Sequence, residues 1–201
     1  MPKKVIVLLA DGFEEVEAIT PIDYLRRAGI EVTTAAVGAK AGESGLAVMG
    51  SHAVEVKADA SLGALLREGK LNASAWDGVV VPGGGQGADR LAASQETGAF
   101  LKEMAEAGKW VCAICASPAR VLSPLGILKG KNFTCYPGEE DKVSSPSSAS
   151  FGAIWKKDRV VVDGCLITSR GAGTAGEFAC AIIEKLAGSE ESQKLAERVL
   201  L

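Results

Sequence analysis

Apolar residues in this chain come in short unbroken runs, each ended by small or turn-forming residues. Val5–Leu9 is the first, and Ala10-Asp11-Gly12 stops it. A strand that is apolar at every position is buried on both faces, as in a parallel sheet. Val16, Ile19, Ile22, Tyr24 and Leu25 then recur at helical spacing. Pro21 inside that pattern predicts a kink or restart, and Ala28-Gly29 closes the helix. Ile30–Val37 reads as a second strand. Two short strands near Leu46–Met49 and Ala53–Val56 look like an excursion at a sheet edge, and Leu62–Arg67 as a short helix. Trp76–Val81 is a central strand running into Pro82-Gly83-Gly84-Gly85, followed by an amphipathic helix over Glu96–Ala107. Trp110–Ile114 is another buried strand, with Cys115 at its end and a helix beginning at Pro118–Leu122. Phe133–Cys135 and Leu166–Ser169 read as strands, Ser144–Ser150 as a serine-rich loop, and Thr174–Leu186 as a strong helix. This alternation predicts right-handed crossovers, hence an α/β/α sandwich around a mostly parallel sheet. Sites in such folds lie at the carboxyl ends of the strands. Three segments qualify: Asp11–Glu17, Pro82–Gly87 and Cys115–Pro118.

Composition narrows the function. A length of 201 residues suits one domain over residues 1–201, against a prior of roughly 150 residues per domain. A net charge of -3 with a single histidine, His52, offers no basic patch for nucleic acid. No apolar run approaches the ~20 residues a membrane span needs. Lys3 and Lys4 precede too short an apolar stretch for a secretion signal, so a cytoplasmic location is expected. The five cysteines then read as free thiols in a reducing compartment.

The sharpest chemical signal is Cys112-Ala113-Ile114-Cys115-Ala116-Ser117-Pro118. A strand stops at Cys115 and small residues open a helix, an arrangement like the nucleophile elbow. A thiol at a helix N-terminus gains thiolate character from the dipole and the unpaired amides, and those amides can hold an oxyanion. Cysteine is also a common core residue, which is the default reading for Cys135, Cys165 and Cys180. Cys112 and Cys115 fall on opposite faces of a strand, so a disulfide between them is not expected, nor is metal ligation. Glu14, Glu15 and Glu17 favour the start of a helix. One of them could instead enter the cleft with a raised pKa and donate to a thiolate, but periodicity does not choose which. Gly83–Gly85 allows amides to approach a ligand, without a phosphate-binding fingerprint.

In order along the chain, Ala10-Asp11-Gly12-Phe13-Glu14-Glu15-Val16-Glu17, Pro21, Arg26-Arg27-Ala28-Gly29, Asp59-Ala60-Ser61-Leu62, Val81-Pro82-Gly83-Gly84, Ala113-Ile114-Cys115-Ala116 and Thr168-Ser169-Arg170-Gly171-Ala172-Gly173-Thr174 resemble the ThiJ/PfpI superfamily, in the branch of the parkinsonism-associated protein deglycase. The resemblance implies a flavodoxin-like sandwich and a homodimer. It implies Cys115 as the reactive thiol and Glu17 as a protonated carboxyl bonded to it. The amides of Gly84 and Ala116 match the oxyanion-hole positions. Glu14 and Asp23 match acidic positions near the site and the dimer face, and Arg27 a basic one at that face. It further implies action on 2-oxoaldehydes such as methylglyoxal, or on glycated substrates, without a cofactor, and a link to oxidative stress.

One position departs from the pattern. Where this branch carries histidine before proline, the chain has Tyr136-Pro137. Tyrosine, with an unperturbed pKa near ~10, is a poor base but a good donor. Proton transfer then falls on Glu17 or water; His52 could reach the cleft across a dimer, while a lone histidine in an edge excursion is more often a plain surface residue. Three readings follow: a cysteine-dependent glyoxalase or deglycase; a redox sensor or chaperone whose thiol oxidises to sulfinate; and, weakest without a Cys–His pair, a cysteine peptidase or amidase.

Overall fold

The computed structural model describes residues 1–38 and 46–201. Its main sheet has seven strands: β1 (Lys4–Leu9), β2 (Glu31–Ala36), β5 (Ala60–Ser61), β6 (Gly78–Val81), β7 (Trp110–Ile114), β10 (Val160–Asp163) and β11 (Leu166–Ser169). Their spatial order is β10-β11-β7-β6-β1-β2-β5, and every pairing is parallel except β10 with β11. Two small ribbons stand apart: β3 (Ala47–Met49) with β4 (Glu55–Lys57), and β8 (Asn132–Phe133) with β9 (Ile154–Trp155). The architecture is the expected flavodoxin-like α/β sandwich.

The central strands β6 and β7, and β1 beyond Lys4, are apolar because each residue feeds one of two cores. In β1, Ile6 and Leu8 face one side and Val5, Val7 and Leu9 the other. The first core is closed by α2 (Leu62–Arg67), α3 (Gly85–Ala93) and α4 (Gln95–Glu106), through Leu65, Leu91, Phe100, Leu101 and Met104. The second is closed by α1 (Glu15–Arg27), α6 (Ala175–Ala187) and α7 (Ser189–Val199), through Ile22, Leu25, Phe178, Ile182 and Leu195. A short helix, α5 (Glu140–Ser144), follows β8 and takes the start of the serine-rich stretch out of the loop class.

Several sequence expectations need correction. α1 runs unbroken through Pro21. The missing proline N–H costs it only the bond to the Glu17 carbonyl, and the buried Ala18, Ile22 and Leu25 hold both halves to the core. Val16 and Ile19 fit the helical period but lie outside the core, at 47% and 40% exposure, whereas Phe13 is fully buried. Helix α3 went unpredicted because Gly85 and Gly87 occupy its first turn, and α7 because Leu195 is its one buried residue. The helix expected to begin at Pro118–Leu122 is present, as a five-residue π-type turn continued by a tighter turn over Ser123–Leu125. The strand expected at Phe133–Cys135 is only Asn132–Phe133, while β9 and β10 are additional. No described helix is long and apolar enough to cross a membrane.

Candidate active site

Three chain segments meet at the carboxyl ends of β1, β6 and β7, as the topology requires. Cys115 follows β7 with φ at +64°, a left-handed conformation rare for a residue with a side chain. Its amide donates to the Ser169 carbonyl at 2.9 Å, and its carbonyl accepts from the Tyr136 amide at 2.8 Å. Those bonds hold the strained turn in place. Ser117 Oγ ties the turn to β6 by donating to the Pro82 carbonyl at 2.6 Å.

Of the three glutamates, Glu17 enters the cleft. It is 1% exposed. Its Oε2 accepts from the Gly83 amide at 2.9 Å, and the carboxyl also takes the Ala172 amide and hydrogen-bonds the Cys115 thiol. Burial pushes this carboxyl up to about 7, against those bonds, with a further push from the charge of Glu14. Cys115 departs from the expectation of a depressed thiol. Burial first, then the Glu17 charge beside it, push it up to about 12, while the amides of Gly84 and Ala116 pull it back. A five-residue turn supplies too little dipole to reverse that balance. The two groups therefore act as a unit: thiol with carboxylate, and thiolate with carboxylic acid, differ only in where one proton sits.

The wall opposite Glu17 is peptide. A Cβ placed on Gly83 would lie 2.5 Å from Glu17 Oε2 and 2.6 Å from Cys115 Cβ, and one on Gly84 would strike the backbone of Gly12 and Phe13. Gly84 also takes a positive φ of 88°. Glycine at 83 is what lets a backbone amide reach the carboxylate. The glycine run is visible in the sequence as a place for amides to approach a ligand, but no local pattern marks Gly83 and Ala172 as partners of the Glu17 carboxyl or Ser169 as the anchor of the Cys115 amide.

The remaining candidates divide. Tyr136 is beside the site, its backbone bonded to Cys115 and its ring 3.6 Å from where a Gly171 Cβ would be. It is half exposed, and the phenol makes no hydrogen bond among the described residues. Glu14, Glu15 and His52 form a separate corner. Glu15 accepts from the His52 amide at 2.6 Å and meets His52 Nδ1 at 3.0 Å, and Ser51 Oγ bridges Glu14 and Glu15. Burial opposes charge there, yet the His52 ring, the amides and Ser51 bring Glu15 down to about 2, and the same contact raises His52. These three residues are the one set among the described residues whose donor atoms gather within 4.8 Å, as a metal would need. Their atoms are already committed to one another. Arg27 pairs with Asp23 at 2.6 Å in the last turn of α1, about 15 Å along the helix from Glu17. Cys112 is buried inside β7 and is not bonded to Cys115; all five cysteines are free. A cavity of about 570 Å³ runs beside α3 past Asp11, Leu62, Arg90 and Glu96 and does not include Cys115. The thiol is instead partly exposed, in a niche bounded by Glu17, the Gly83-Gly84 peptides and the Tyr136 turn.

Residues 3–185 match the model of the DJ-1/PfpI family. Among curated proteins, the chain is 42% identical to Protein DJ-1 homolog B of Arabidopsis thaliana over 98% of its own length but 41% of that protein's, so it spans less than half of that relative. It is 34% identical to a deglycase of Pyrococcus horikoshii, covering 83% of this chain and 89% of the other. Among solved structures, Drosophila melanogaster DJ-1beta superposes with a TM-score of 0.87 at 39% identity, covering 100% of this chain and 99% of that one.

Proposed function

Since the chain belongs to the DJ-1/PfpI family, we propose that it is a cofactor-independent, cysteine-dependent enzyme of the glyoxalase or deglycase type, acting on 2-oxoaldehydes such as methylglyoxal. The observation that carries this reading is the Glu17 carboxyl bonded to Cys115, with two amides aimed at the same sulfur. In the thiolate form, the sulfur adds to the aldehyde carbon and Glu17 protonates the new alkoxide, giving a hemithioacetal. The resulting carboxylate removes the proton from that carbon. An enediol forms, and the proton returns to the neighbouring carbon. This internal rearrangement oxidises the aldehyde carbon and reduces the ketone, leaving a 2-hydroxy thioester on Cys115. Water hydrolyses the thioester, releasing lactate and restoring the thiol. The Gly84 and Ala116 amides lie where negative charge develops. Tyr136, whose phenol has no partner among the described residues, orients a substrate oxygen or a water.

Incubation with methylglyoxal and quantification of lactate tests this reading. Cys115-dependent lactate is the expected result, and no turnover above a Cys115→Ser control overturns it. The same reading pairs two copies along α1, where Val16 and Ile19 stand exposed. Ile19→Glu should then shift sedimentation from dimer to monomer. A redox role is the second reading. Of Cys112, Cys115 and Cys135, only Cys115 is not fully buried, and two successive oxidations by peroxide would convert it to a sulfinate held by the same amides. Mass spectrometry after graded peroxide should find Cys115 the first thiol to gain two oxygens.

A further inference from the structure

We propose that Arg120 and Glu139 are positioning residues for the Cys115 site, a partly buried ion pair that clasps two of its walls to the turn that carries the thiol. The proposal rests on the reading of Cys115 as the reactive group. Arg120 lies one turn beyond Cys115, its amide donating to the Ala116 carbonyl at 2.9 Å. Its side chain is 26% exposed and that of Glu139 only 12%. The guanidinium grips Glu139 as a fork, Nε to Oε2 at 3.2 Å and Nη2 to Oε1 at 2.6 Å. The third nitrogen, Nη1, donates to the Gly85 carbonyl at 3.2 Å and to Asp89 at 3.2 Å. Lys142 completes Glu139 at 2.7 Å.

Each contact leads to a wall of the niche. Gly85 follows Gly84, whose amide faces the sulfur, and Asp89 lies on the helix that Gly84 caps. The Glu139 amide donates to the Tyr136 carbonyl at 3.1 Å, and the Tyr136 amide to the Cys115 carbonyl at 2.8 Å. One side chain thus joins the Gly84 turn, the Ala116 turn and the Tyr136 turn. A desolvated pair persists only where its hydrogen bonds are complete, and all three guanidinium nitrogens here are used. A planar fork also fixes orientation in a way a point charge does not.

The test is the pH profile of Cys115 alkylation by iodoacetamide, followed by mass spectrometry, beside turnover of methylglyoxal. The charged groups facing the thiol are Glu17 from α1, with Glu14 behind it; the guanidinium is committed to Glu139 and Asp89. Arg120→Met should move the alkylation midpoint to higher pH and slow alkylation at neutral pH about tenfold, because the Gly84 donor is no longer held on the sulfur. The high-pH plateau, which reads access, should stay within about twofold. Turnover should fall about 10- to 100-fold in kcat, with KM changed less than about threefold. Arg120→Lys, keeping the charge without the fork, should recover only part of the loss. Glu139→Gln should show the same direction, and it carries the test if Arg120→Met fails to fold. Wild-type midpoints in both variants overturn the proposal, whatever their melting temperatures. Should the wild type make no lactate, the enzyme reading falls while the alkylation profile still decides the pair.

Discussion

Two corners of this molecule begin from nearly the same material. Glu15 and Glu17 lie two residues apart in the first turn of α1, and both are buried. Burial disfavours charge at each, yet Glu15 comes down to about 2 and Glu17 goes up to about 7. Successive helix positions turn by about 100°, so residues two apart point to nearly opposite sides. Glu15 finds a histidine, a serine hydroxyl and backbone amides. Glu17 finds two amides and a thiol that competes for its proton. The difference teaches that depth alone does not set protonation; the supply of donors does. One carboxylate is a structural anchor, and the other is kept near neutrality, where an acid–base group is most useful.

The largest expected effect comes from removing the titrating member. Glu17→Gln should lower Cys115-dependent lactate formation by about 100- to 10,000-fold, the usual worth of an acid–base group. The same substitution should help folding in alkaline solution. A carboxyl raised in the folded state favours folding while protonated, and that contribution is lost as pH rises from about 4.5 through about 7. Between pH 5 and 8 the stability difference should move in favour of glutamine by about 2–3 kcal/mol, measured by denaturant unfolding. Full turnover with no pH-dependent gain would break the comparison.

Next in size is the peptide wall. Gly83→Ala should cost about 1–3 kcal/mol as an overpacked core change and should depress alkylation of Cys115, since the new methyl displaces Glu17 or the sulfur. A soluble variant with unaltered reactivity would show that the wall yields. Glu15→Gln sharpens the contrast from the other side. It should destabilise by about 1–3 kcal/mol at neutral pH while leaving the Cys115 alkylation midpoint in place. Because the Glu15 carboxyl is lowered, its contribution is present above about 4.5 and lost as pH falls toward about 2, so the variant should lose that acid limb. The smallest effect belongs to Tyr136→Phe, a loss in turnover under about tenfold, below the range of a general base. Tyr136→His should keep or raise activity. Abolition of turnover by Tyr136→Phe would reassign the base.

Much of this frame was legible in the chain. The alternate residues of Val5–Leu9 and Trp110–Ile114 announce a sheet buried on both faces, and the position of Cys115 at the end of one strand announces the turn. The glutamates show where legibility stops. Periodicity distinguishes sides of a helix but not which side meets β6 and β7, so resemblance, not spacing, singled out Glu17. His52 and Arg120 were harder still. Their partners are 37 and 19 residues away in sequence, and no local pattern encodes a long-range ion pair. Helices α3 and α7 are hidden for a local reason: Gly85 and Gly87 open α3, and α7 presents a single buried residue, Leu195, too little for an apolar stripe.

The glycine wall carries a consequence for descent. Substitution edits side chains, and at Gly83 and Gly84 there is none to edit and no room to add one. Half of the niche is thereby closed to gradual retuning, and lineages that share this elbow inherit the same grip on the sulfur. Divergence in what they accept must enter from the opposite bank, where Tyr136 stands half exposed with room for its side chain to change. The fold separates an unchanging anvil from an exchangeable hammer, and novelty has one door.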